Sequence, residues 1–272
     1  MYSLRMQNRS EAPVRLKVLR TRLARLELKD RFYRNRFVVP NAVTLSSMFC
    51  GFLAIIYSTS GRFEKAVIAI ALSILLDGLD GRVARRLKAT SKFGVEFDSL
   101  SDFVSFGVAP AILMYNWSFR PVADEFGVLV SFIFALCSAS RLARFNIQAE
   151  NLKNFSGLPT PGAAAMVIAV VNSIPYAAPG QSKLIFDALL MLVLSFLMVS
   201  RIEFLSIKKA KMVGPRLFVV LGCTIGLLWY NSQIGVLALA TVYVLSGPVS
   251  ALMKISTKKP DGDSNDQAAV SI

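Results

Sequence analysis

The sequence predicts an all-α integral membrane protein, with about eight transmembrane helices preceded by a basic amphipathic N-terminal helix. Three observations predict it. Hydrophobic residues make up 54% of the chain and charged residues only 18%, too few polar side chains to coat a soluble globule of this size. The apolar residues gather in stretches of about 20, the length that crosses a hydrocarbon core about 30 Å thick. The basic residues fall between those stretches with a marked bias to one side.

The first element is the arm 1–36, which carries eleven Lys/Arg and three acids, Glu11, Glu27 and Asp30. No apolar core follows its charges inside the arm, so it does not read as a signal peptide. Leu16, Leu19, Leu23, Leu26 and Tyr33 approximate a helical stripe among arginines, which suits a helix lying on anionic membrane lipid. Residues 37–254 form the transmembrane domain, with expected spans at 39–59, 63–84, 97–117, 126–145, 161–179, 185–204, 215–231 and 234–253. Eight spans put both termini on one side. On that assignment 27 of the 31 Lys/Arg lie on the side of the termini, leaving Arg62, Lys65, Arg120 and Lys183 opposite. This bias predicts a cytoplasmic (inner) membrane protein with cytoplasmic termini. Residues 255–272 read as a polar, disordered tail. Gly222 and Gly226 form a GxxxG pair in the seventh span, a candidate contact for a homodimer.

Absences narrow the chemistry. The chain contains no histidine, which excludes a Ser-His-Asp triad and His-ligated zinc. Cys50, Cys137 and Cys223 stand far apart in apolar stretches, without CxxC spacing, and read as small buried residues. The net charge of +14 would suggest nucleic acid in a soluble protein. Here membrane orientation and lipid head groups account for it, and no nucleic-acid partner is expected.

The remaining candidates concentrate at one place. The second span ends with Asp77 and Asp80, and the third begins with Asp98 and Asp102. Spacings of three and four residues put each pair on one helix face. The connecting loop is short, so the two helices are antiparallel neighbours and all four carboxylates meet at the cytoplasmic end. Four carboxylates at one depth in a medium of low dielectric do not all stay ionised unaided. Either some are protonated or cations neutralise them. Oxygen-only ligands favour Mg2+ or Mn2+, and two such ions suit phosphoryl displacement. Gly78, Gly81 and Gly94, with Ala84, leave room for a ligand near the backbone, and Arg85 stands one turn beyond Gly81. Helix packing with carboxylates paired to Arg82 and Arg85 would need fewer aspartates than these.

Written out, the segment is Asp77-x2-Asp80-Gly81-x2-Ala84-Arg85-x8-Gly94-x3-Asp98-x3-Asp102. It resembles the complete signature of the CDP-alcohol phosphatidyltransferases, with every fixed position filled. The resemblance covers 26 residues and implies that an alcohol displaces CMP from a CDP-linked lipid. By motif position it implies that Asp77, Asp80 and Asp98 hold two Mg2+ or Mn2+ ions, with Asp102 a further ligand, the catalytic base, or both. It puts Gly81, Ala84, Arg85 and Gly94 at the CDP pocket, with Ser91 from the intervening loop. Pro40-Asn41-Ala42-Val43-Thr44 resembles the family's first-span element, so Asn41 and Thr44 either cap a helix start or bind the cytidine or ribose.

The acceptor is read from two further segments, residues 97–110 and Arg141-Leu142-Ala143-Arg144-Phe145-Asn146 followed by Phe155-Ser156-Gly157-Leu158-Pro159-Thr160-Pro161. Both resemble the serine-using branch of that family. The implied substrates are CDP-diacylglycerol and L-serine, with Arg141 or Arg144 holding the serine carboxylate or a lipid phosphate. Ser156 and Gly157 form a loop near the same face, whereas Asp187 lies toward the opposite one. Glycerol 3-phosphate or inositol is the alternative acceptor. A cation-binding transporter is the alternative from another class, but it leaves Gly81, Arg85 and Gly94 unexplained and predicts charge near the midplane of several spans.

Overall fold

The protein is described by a computed structural model over residues 38–87, 91–148, 157–176, 180–202 and 232–257. Within these residues it is all helical. The helices are α1 (Val38–Thr59), α2 (Phe63–Leu87), α3 (Lys92–Phe119), α4 (Asp124–Gln148), α5 (Thr160–Ser173), α6 (Gln181–Val199) and α7 (Ser232–Thr257). Five of them, α1, α3, α4, α6 and α7, contain segments long and apolar enough to cross a membrane. The arm 1–36, the expected span 215–231 with its Gly222/Gly226 pair, Ser156 and residues 258–272 lie outside the described residues.

The expected and observed helices differ in ways with physical reasons. α2 forms where the second span is expected, and its 25 residues reach about 37 Å. Glu64, Lys65, Asp77, Asp80, Arg82, Arg85 and Arg86 give it more charge than any of the five. α5 stops at Ser173 instead of 179, because Ile174 leaves helical geometry (φ −145°, ψ 70°) just before Pro175. α6 begins at Gln181 instead of 185 and ends at Val199 instead of 204. Its extra first turn accommodates Lys183, which pairs with the buried Asp187 at 3.0 Å. α7 runs to Thr257, three residues into the segment read as tail, with Pro248 inside it.

α1 and α2 form an antiparallel pair joined by the turn at 60–62, where Gly61 takes φ +70°. A ladder of small hydroxyl residues welds this pair to α3. Ser47 and Ser73 exchange hydrogen bonds across α1 and α2, with their hydroxyl oxygens 2.8 Å apart. Ser101 donates to the Thr44 carbonyl at 3.2 Å and Ser105 to the Ser47 carbonyl at 3.3 Å. In hydrocarbon, helices gain nothing by burying leucine against leucine, so small residues and hydroxyls carry association at about 0.6 kcal/mol per bond. Gly51 sits in this seam, where a Cβ would come within 2.4 Å of Ser105 Oγ.

α3 is the central element. It leaves ordinary α geometry for a wider π turn at Phe103–Val108, immediately after Asp102, and again at Tyr115–Phe119. Such insertions recur at functional sites, because one extra residue re-aims the side chains on either side. Phe106, Leu113, Met114 and Phe119 of α3 are fully buried against α4, α5 and α6, so α3 reaches the centre of the bundle. The residues before α5 fold onto the end of α6, where Gly157 (φ +91°) donates to the Ile202 carbonyl at 2.8 Å. A Cβ at Gly157 would stand 2.5 Å from the Met198 carbonyl oxygen, so glycine is required there for both space and conformation.

Candidate active site

The last turns of α2 and the first turns of α3 bring three carboxylates together. One oxygen from each of Asp77, Asp98 and Asp102 lies within 4.8 Å of the others. Asp98 Oδ1 is buried and, among the described residues, has no hydrogen-bond partner. A buried, unpartnered carboxylate oxygen beside two further carboxylates costs several kcal/mol when ionised unless a cation meets it. The donor set is all oxygen, as hard divalent ions prefer. These residues therefore fit Mg2+ or Mn2+.

Asp80 stands beside this group. It is nearly fully buried (5% exposed), and its Oδ2 accepts a hydrogen bond from Thr44 Oγ1 at 2.9 Å. Its charge is felt by Asp77, Asp98 and Asp102 alike, so the four form one electrostatic unit. Thr44 thus positions an aspartate from the facing helix, and its hydroxyl also contacts the Pro40 carbonyl at 3.2 Å.

The expected nucleotide-side residues converge on the same end. Arg85 folds back over its own helix, so that a Cβ at Gly81 would lie 3.5 Å from one guanidinium nitrogen. Among the described residues a Cβ at Gly78 would meet nothing within 4 Å, leaving an open patch of α2 backbone between Asp77 and Asp80. Ser91 caps α3 by accepting the Gly94 amide hydrogen at 3.0 Å. Gly94 also faces Asn41, whose Oδ1 would be 3.4 Å from a Cβ there. The start of α1, the end of α2 and the start of α3 therefore line one mouth. Ala84 lies on α2 one turn from Asp80.

α4 supplies the other wall, and here the two arginines part. Arg144 donates to the Val199 carbonyl at 2.9 Å, satisfying an orphan acceptor at the end of α6. Arg141 donates to Thr160 Oγ1 at 3.2 Å and lies within electrostatic reach of Asp102. Asn146, one turn further, accepts from Ser99 at 3.1 Å and donates to Glu96 at 3.3 Å, clipping α3 to α4 beside the aspartates. Sequence reasoning gave Ser101, Asn146, Thr160 and Tyr243 no role. Only the helix arrangement reveals their partners.

Asp187 lies at the other end of α3, where Ser118 donates to it at 2.5 Å and Lys183 covers the Trp117 ring. Ser118 is about 24 Å along α3 from Asp102, which separates this cluster from the site.

Comparison with known proteins matches the family model of CDP-alcohol phosphatidyltransferase over residues 37–247. The chain belongs to the CDP-alcohol phosphatidyltransferase family. Among its relatives is the CDP-diacylglycerol–serine O-phosphatidyltransferase of Helicobacter pylori, 40% identical over 183 residues, covering 64% of this chain and 75% of that protein. The protein of the same name from Bacillus subtilis is 36% identical over 171 residues, covering 63% of this chain and 92% of the relative. The archaetidylserine synthase of Methanothermobacter thermautotrophicus is 38% identical over 181 residues, covering 65% and 73%. As a CDP-alcohol phosphatidyltransferase the chain is a membrane transferase of phospholipid synthesis. The signature aspartates and their surroundings fall inside the matched residues.

Proposed function

We propose that this transferase moves the phosphatidyl group of CDP-diacylglycerol to the hydroxyl of L-serine, releasing CMP and forming phosphatidylserine. The observation that carries the chemistry is the carboxylate cluster with the unpartnered Asp98 Oδ1. The relatives' names support serine as the acceptor. In this reading Asp77, Asp80, Asp98 and Asp102 hold two Mg2+ or Mn2+ ions, which when bound offset the charge of the pyrophosphate and of the departing CMP. Gly81, Ala84, Arg85, Ser91 and Gly94 line the nucleotide side, with Asn41 and Thr44 facing them from α1.

The serine hydroxyl oxygen bonds to the phosphatidyl phosphorus, the bond from that phosphorus to the CMP oxygen breaks, and the hydroxyl proton passes to Asp102. Serine is a weak nucleophile at neutral pH, so this proton acceptor is needed within hydrogen-bond reach. Arg141 meets the serine carboxylate. The basic last turn of α2 and Arg141 and Arg144 of α4 share the face of the aspartates, which supports an active site opening to the cytoplasm. With residues 215–231 as a further span, the whole chain crosses the membrane eight times.

An acceptor screen tests this reading. Purified protein given CDP-diacylglycerol and Mn2+ should release CMP with L-serine and not with glycerol 3-phosphate or inositol. Release with either of those instead contradicts the serine assignment. No CMP release with any alcohol favours a transporter.

A further inference from the structure

Resting on the serine reading, we infer that Thr160 is a positioning residue for the acceptor. Its hydroxyl holds Arg141 toward the aspartates, and α7 completes the same pocket by seating Tyr243 on Gly162.

A guanidinium has five N–H donors. Among the described residues, Arg141 has its hydrogen bond to Thr160 and no carboxylate within ion-pair distance. A cation drawn into a bundle without a carboxylate partner is costly, and an anionic ligand removes that cost. Arg144, one turn on, is already engaged by the end of α6, so the two arginines do not share this task.

Thr160 is fully buried and stands at the first turn of α5 between Pro159 and Pro161. Pro159 holds the cap position of α5, so Thr160 is the first helical residue, and its hydroxyl accepts from Arg141 of another helix. Two residues on, a Cβ at Gly162 would stand 2.6 Å from Tyr243 Cε1. Glycine therefore opens a slot that admits the ring of α7 beside Thr160. The Tyr243 phenol and the Arg141 guanidinium lie within electrostatic reach of one another. Arg141 thus bonds to Thr160 of α5 and lies within electrostatic reach of Tyr243 of α7 and Asp102 of α3. This arrangement recognises a small acceptor with a carboxylate close to its reacting hydroxyl.

The test uses the full chain in detergent, with CMP release measured against both substrates. Thr160→Val keeps the shape and removes the hydroxyl, and Thr160→Ser restores it. Thr160→Val should raise the serine KM about tenfold with the CDP-diacylglycerol KM unchanged, as expected for a loosened charge-assisted hydrogen bond. Thr160→Ser should return the serine KM to within about twofold of wild type, because its hydroxyl accepts the same bond. Gly162→Ala, which displaces the Tyr243 ring, should raise the serine KM in the same direction. Equal KM values for Thr160→Val and wild type overturn the inference, as does a rise confined to CDP-diacylglycerol. If Thr160→Val does not fold, Gly162→Ala decides alone: an unchanged serine KM in that variant overturns it. Failure of the wild-type protein to use serine at all is a different result, and it removes the serine reading itself.

Discussion

At the scale of single residues, charges in hydrocarbon mark the site. Each costs about 2.5–3.5 kcal/mol at the centre of a span, so each needs a partner or a task. Asp187 has its partners in Lys183 and Ser118. Asp98 lacks a partner for one oxygen among the described residues. Asp98→Asn should therefore cut CMP release by orders of magnitude while the detergent-solubilised protein keeps its thermal midpoint, because the lost charge acts on bound ions and not on packing. Activity within tenfold of wild type would contradict this. The arginines give a second prediction. Arg141→Ala should raise the serine KM by roughly ten- to a hundredfold, matching about 1.5–3 kcal/mol for a hydrogen bond to a charged group. Arg144→Ala should lower the thermal midpoint instead, since it frees the end of α6. The aspartates were legible in the sequence because helical spacing and one short loop dictate their meeting. The division of labour between Arg141 and Arg144 was not. Both occupy one helix end, and only the positions of α5 and α6 decide which is engaged.

At the scale of elements, close approach of backbones sets the site. The aspartates of α2 and α3 face each other because α1 binds both through Thr44, Ser47, Ser73, Ser101 and Ser105. Glycines permit this spacing at Gly51 against Ser105 and at Gly107 against Ser138. Gly51→Ala would set a methyl group 2.7 Å from the Ser105 Cα, which must move. A cost of about 1–3 kcal/mol follows, read as a lowered thermal midpoint in detergent. Hydropathy located most of the helices, since apolar runs of this length have few alternatives in a bilayer. It misplaced the ends of α5 and α6, because Pro175 and the Lys183–Asp187 pair override the average over a window. The wider turns of α3 carry no sequence signal that hydropathy or propensity reads.

For the whole molecule, the aspartates, Arg85, Arg141 and Arg144 share one face of the bundle, and Asp187 with Lys183 lies toward the other. We propose, from the distribution of basic residues, that the first face is the cytoplasmic one. A reporter fused after Ile272 should accordingly read as cytoplasmic, and a periplasmic signal would change the number of spans by one. We propose that the carboxylate cluster drives transfer of a phosphatidyl group to serine. Its most direct measurement follows radiolabelled L-serine and CMP together in one reaction with purified protein and CDP-diacylglycerol. The account predicts equimolar lipid-bound serine and CMP, abolished by a chelator and restored by Mn2+ or Mg2+. Label entering lipid at an undiminished rate in chelator, or CMP release without label in lipid, would contradict it.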